Sequence, residues 1–168
     1  MRMNRRLPAC AILCASILVI PFAAVAASGP GDESAYLDRF EGAWTGEGAV
    51  RLAPGTPSLK VSCSLTGDAA GQSLVLTGRC GGGLIGSDVS ARLAYDPARH
   101  AYRGSWSAGG SSATLAGHRQ GPAIGLNVAA PDEPGRHLTL ALDQDHLHLS
   151  MTRNDDHAEV LRLALDRN

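Results

Sequence analysis

His146-Leu147-His148 sets two imidazoles two residues apart, the spacing that puts both on one face of an extended strand. Folding the preceding segment back about Asp143-Gln144 brings His137 diagonally near His148 on that same face. Three imidazoles on neighbouring strands are a donor set for a divalent metal, zinc or copper, with one position left open. The opposite face carries Leu138, Leu140, Leu142, Leu147, Leu149 and Met151, so the alternation turns His137, His146 and His148 toward solvent. There they sit among Thr139, Ser150 and Thr152, as ordinary surface histidines do. A haem site would instead need an imidazole facing inward. His118, at a strand end, and His157, after Asp155-Asp156, would face that way only after a one-residue slip, which swaps the faces of a strand. No cofactor is predicted; a divalent metal and haem are the two groups these histidines leave open.

Other catalytic arrangements are missing from the sequence. It has no G-x-S-x-G elbow, no phosphate-cradling loop and no H-E-x-x-H run. Gly81-Gly82-Gly83 lies between two alternating segments, where a wide turn is its expected role. The acid pairs Asp132-Glu133, Asp143/Asp145 and Asp155-Asp156 all fall at turns, where Asp helps the backbone bend. The expectation is a protein that is not an enzyme.

The elements that must position these residues start late in the chain. Met1 to Arg6 holds three arginines, Leu7 to Ala23 is almost wholly apolar, and Ala24-Val25-Ala26 has the small residues a signal peptidase reads. Residues 1–26 are therefore read as a secretory signal cleaved after Ala26, which implies a periplasmic or secreted protein. Of 168 residues about 142 remain, enough for one domain, divided into a tail with a short helix (27–42) and one barrel domain (43–168). That remainder has 12 basic residues against 16 acidic ones, which argues against a nucleic-acid partner. It has no second apolar run long enough to span a membrane. Cys10 and Cys14 leave with the signal. Cys63 and Cys80 remain as an even pair in an oxidising compartment, which reads as one disulfide.

The small-residue stretch Ala27 to Gly31 reads as a mobile tail, and Asp32 as the cap of a helix from Glu33 to about Arg39, with Tyr36 and Phe40 on its inner face. From Ala43 onward the chain breaks every 8 to 12 residues at turn formers and alternates with period two between them. Ten strands are predicted, at about 43–52, 58–67, 73–80, 87–95, 101–107, 111–118, 122–129, 136–142, 146–152 and 158–167. Every connection is too short for a crossover helix, so neighbours pair antiparallel. The fold class is all-β, an up-and-down barrel of about 8–10 strands, because closure removes both exposed edges. Leu59, Val61, Cys63 and Leu65 share one face of their strand, as do Leu74, Leu76, Gly78 and Cys80 of the next. Pairing Leu65 with Gly78 sets Cys63 opposite Cys80, within bonding reach.

Phe40-Glu41-Gly42-Ala43-Trp44-Thr45 recurs in form as Tyr102-Arg103-Gly104-Ser105-Trp106-Ser107, two strand starts where Gly lets the chain bend and Trp plugs the core. The first copy resembles the calycins, which include the lipocalins. They open the first barrel strand with Gly-x-Trp after a short helix and pack a basic residue of the last strand over that Trp. The resemblance implies this structural role for Gly42, Trp44 and Arg167, although ten strands suit the fatty-acid-binding or nitrobindin type better than true lipocalins. The chain also resembles a group of small exported bacterial proteins of unknown function, through Phe40-x-Gly42-x-Trp44-x-Gly46-x-Gly48, Val50-Arg51-Leu52, Cys63, Cys80, Gly104-x-Trp106, Gly117 and Arg167. A third resemblance, through Gly-x-Trp and one disulfide, is to periplasmic inhibitors of secreted metalloproteases, whose N-terminal tail plugs the protease cleft.

These readings lead to an exported, non-enzymatic barrel that binds a small apolar ligand or acts as a protein-interaction module such as a protease inhibitor. A ligand cavity would draw its wall from Leu76, Leu93, Tyr95, Tyr102, Trp106, Leu126 and Leu140, with Ala91, Ala113 and Gly78 leaving room.

Overall fold

The structure is a computed structural model that describes residues 30–168 apart from Leu84 and Asp132. The segment read as a signal, 1–26, and the first three residues of the tail lie outside the described residues. One helix, α1 (Pro30–Asp38), precedes ten strands: β1 (Gly42–Val50), β2 (Leu59–Ala70), β3 (Ser73–Gly82), β4 (Ile85–Asp96), β5 (Ala101–Ala108), β6 (Ser111–Gln120), β7 (Ala123–Ala129), β8 (Arg136–Asp143), β9 (His146–Arg153) and β10 (Glu159–Arg167). Each strand pairs antiparallel with the next, and β10 returns to β1 to close the barrel. The count is ten, and the architecture is that of a calycin-like barrel.

The helix begins earlier than Asp32. Pro30 and Gly31 belong to it rather than to a tail, and Asp32 lies in its first turn instead of capping it. Proline suits such a start, because its missing N–H would have no intrahelical partner there.

Closure rests on the glycines of β1. A Cβ on Gly46 would stand 2.0 Å from the Ala164 carbonyl oxygen, and one on Gly48 1.9 Å from that of Arg162. The backbones of β1 and β10 thus approach at a separation that only glycine tolerates. The repeated Gly-x-Gly after Trp44 is the seam of the barrel.

The register between β2 and β3 pairs Leu65 with Gly78 and Cys63 with Cys80, whose Cα atoms are 4.1 Å apart and whose sulfurs are bonded. Period-two alternation puts Leu65, Leu76, Leu93, Leu115, Leu126, Leu140, Leu149 and Leu163 inside. Leu59 departs from this pattern. It shares a face with Val61 and Cys63, but it starts β2 at the barrel rim and is 41% exposed.

Candidate functional site: an apolar cavity open at one end

The two ends of the barrel differ in what fills them. α1 lies across the end where β1 begins, and its inner face packs Tyr36 edge-on against Phe40, with ring centres 5.4 Å apart. Trp44 is fully buried beside them and donates its indole N–H to the Phe40 carbonyl at 2.9 Å. The Arg167 guanidinium lies 4.2 Å from the centre of the Trp44 ring, a cation–π contact, while its N–H groups donate to the carbonyls of Arg39 and Glu41. The Gly42–Trp44–Arg167 cluster thus joins the first strand, the last strand and the turn after α1.

This end also buries a charge. Glu33, 3% exposed, accepts hydrogen bonds from the Tyr102 hydroxyl and from Arg119, whose Nε is 3.0 Å from both carboxylate oxygens. Arg119 stacks 4.7 Å over the Tyr36 ring, and the Tyr36 hydroxyl donates to the Pro122 carbonyl at 2.8 Å. Burial pushes the Tyr36 phenol up to about 12, with Arg119 pulling the other way more weakly. Tyr102 is also raised, first by burial and then by its hydrogen bond to Glu33. A buried carboxylate is costly unless paired and hydrogen-bonded, and here both conditions are met.

The other end is hollow. A cavity of about 850 Å³ opens between the turns that join β1 to β2, β3 to β4, β5 to β6, β7 to β8 and β9 to β10. Mid-barrel leucines (Leu65, Leu76, Leu93, Leu126, Leu140, Leu149) line its deeper wall, and Val61, Val89, Ala91, Trp106, Met151 and Leu161 also line it. The Cys63–Cys80 disulfide forms part of this wall. Charged groups collect near the mouth. Arg136 is paired with Glu133 at 2.5 Å, and Arg153 with Asp156. Leu52, 68% exposed, also lines the mouth.

Of the seven residues expected to form a cavity wall, Leu76, Leu93, Trp106, Leu126 and Leu140 line the cavity. Tyr95 and Tyr102 do not. They pair across the β4–β5 hairpin at the helix end, with ring centres 5.2 Å apart, and Tyr102 turns its hydroxyl to Glu33. Of the three small residues, Ala91 lines the cavity, whereas Ala113 and Gly78 are absent from its lining.

The histidines are not brought together. His148 pairs with Ala141 and His137 with Thr152, so these two imidazoles stand four residues apart along the strands, roughly 13 Å. His146 is held by Asp166 at 2.6 Å, and all three rings are exposed. Among the described residues no three His, Cys, Asp or Glu side chains converge. His118 is exposed near the helix end, with Nδ1 2.9 Å from the His100 carbonyl oxygen, and His157 is exposed in the β9–β10 turn with φ 55°. No imidazole lines the cavity among the described residues, so its wall does not fit a histidine-ligated haem.

The fold and its hollow end define a class: a closed ten-stranded, calycin-like barrel with one end plugged and the other open. No family model matches the sequence, and no curated protein matches it. Among solved structures the chain is similar to Rv2717c from M. tuberculosis, with a TM-score of 0.62 and 17% identity over 79% of this chain and 94% of that one. At that identity the likeness shows a shared fold.

Proposed function

We propose that this is an exported, non-enzymatic carrier or sensor that holds a small apolar ligand inside the barrel. The observation that carries the reading is the cavity: about 850 Å³, walled mainly by leucine, valine and alanine with Trp106, Met151 and the disulfide, floored by a packed core and open at the other end. That volume is within the usual range for small-molecule sites, and apolar walls with a few polar groups are what such sites present. Barrels of this type typically bind rather than catalyse. A disulfide, and the absence among the described residues of a helix long and apolar enough to cross a membrane, are compatible with export.

The test has two arms. Native mass spectrometry of protein exported to a periplasm should show an extra mass that denaturation removes. Protein freed of that mass should bind a neutral naphthylamine fluorophore, and Ala91→Trp, which places an indole inside the cavity, should weaken the binding severalfold while leaving the fold intact. A bare mass together with no fluorophore binding would overturn the reading.

A further inference from the structure

We propose that the ligand is an amphiphile, an aliphatic chain with a singly charged anionic head, and that Arg51 receives the head at the cavity mouth. The inference rests on the ligand-barrel reading above and adds the ligand's chemistry.

Arg51 follows directly on β1, and its backbone N–H donates to the Val160 carbonyl at 2.8 Å, which carries the strand pairing one residue beyond Val50. The side chain lines the cavity and is half-buried. Among the described residues its guanidinium reaches a single acceptor, the Ser58 hydroxyl, at a long 3.4 Å. Its Nε is the one buried side-chain nitrogen or oxygen among the described residues that has no hydrogen-bond partner. A buried donor left unpaired is costly, and such groups in folded proteins call for a partner.

The contrast with neighbouring arginines is informative. Arg136 and Arg153 line the same mouth, and each is neutralised by a carboxylate of its own turn, Glu133 and Asp156. Arg51 makes no ion pair among the described residues. Lys60 also lines the cavity without an ion pair among the described residues, but it is exposed. Arg51 is therefore the half-buried cation of the mouth that no carboxylate meets, next to a wall built mainly of leucine, valine and alanine. A guanidinium fork suits a planar carboxylate. A phosphomonoester, with close to two negative charges, would find one half-buried cation to meet them, since Lys60 stands exposed in solvent.

Oleate and oleyl alcohol share a chain and differ in the head, so they separate recognition of the head from filling of the cavity. Wild-type protein should bind oleate about tenfold or more tightly than oleyl alcohol, the worth of one charge-assisted hydrogen-bonded contact. Arg51→Met, close in length and uncharged, should remove that preference and leave oleyl alcohol affinity nearly unchanged. Arg51→Lys should retain part of it, keeping the charge without the fork. Circular dichroism and the denaturation midpoint of each variant guard against misfolding. Equal binding of the two compounds by wild type, unaltered by Arg51→Met, would overturn the head-group assignment while the cavity reading stood. Binding of neither compound would overturn both.

Discussion

At the end where α1 enters, the inward positions are filled with Trp44, Tyr102, Phe40 and Leu37, all fully buried, and even a carboxylate, Glu33, is closed in and satisfied. At the opposite end the same alternating strands turn Val61, Val89, Ala91 and Met151 inward, and the walls stay apart around about 850 Å³. The distribution of aromatic residues accounts for the difference. Tyr36, Phe40, Trp44, Tyr95 and Tyr102 gather at the helix end, whereas Trp106 is the one described aromatic that lines the cavity. A ten-stranded barrel encloses more space than aliphatic side chains can fill, so whichever end lacks large rings remains open. The arginines repeat the contrast: Arg119 and Arg167 at the closed end are fully engaged, while Arg51 at the open end lacks a carboxylate.

This contrast can be broken most sharply with the two tryptophans. Trp44→Ala should cost about 4 kcal/mol in chemical denaturation, because the plug cannot collapse around the void. Trp106→Ala should cost about 1–2 kcal/mol, since it widens a space that is already hollow, and equal losses at the two sites would refute the division into solid and open ends. Next in size, Glu33→Ala strands Arg119 and Tyr102 and should lower stability by about 3 kcal/mol without altering fluorophore binding at the far end. Replacing both cysteines by serine should cost a similar amount, about 3 kcal/mol on the chain-entropy account. Ligand affinity should then fall little, although both sulfurs belong to the cavity wall; a large loss in a folded variant would give the disulfide a shaping role.

A further effect appears in alkali. Tyr36 keeps its proton up to about pH 12 in the folded chain, against 10.0 for an unburied phenol. The unfolded state therefore loses protons first, and stability that is complete below pH 10 declines as the pH rises toward 12. Tyrosinate absorbance should show Tyr36 and Tyr102 ionising late, in step with loss of the fold, and Tyr36→Phe should flatten part of that decline.

Much of this architecture was legible in the alternation. The order of strand pairing and the Cys63–Cys80 register follow from period-two patterning and short turns, which permit antiparallel neighbours alone. The count, about 8–10 from sequence, is settled as ten by the closed barrel. The site was only partly legible. Leu76, Leu93, Trp106, Leu126 and Leu140 could be assigned to the interior by face, but nothing in alternation tells how far along the barrel axis a residue lies. For that reason Tyr95 and Tyr102, which alternation assigns to the interior, stand beneath the helix rather than in the cavity. The histidines failed for a related reason: His137 and His148 share the outer face, and the hairpin register separates them along it.

By itself the sequence determined which residues face in and which face out, because that depends on a period of two and on turns that break it. It also determined that two cysteines meet, since a single hairpin register brings them together. Which end is closed is a tertiary matter, because α1 is held there by Glu33 to Arg119 and Tyr36 to Pro122, contacts that each join residues 86 apart in the chain. The tertiary structure alone exposed Arg51 as a cation without a carboxylate. A missing partner is a property of the space around a side chain, and local sequence does not record that space.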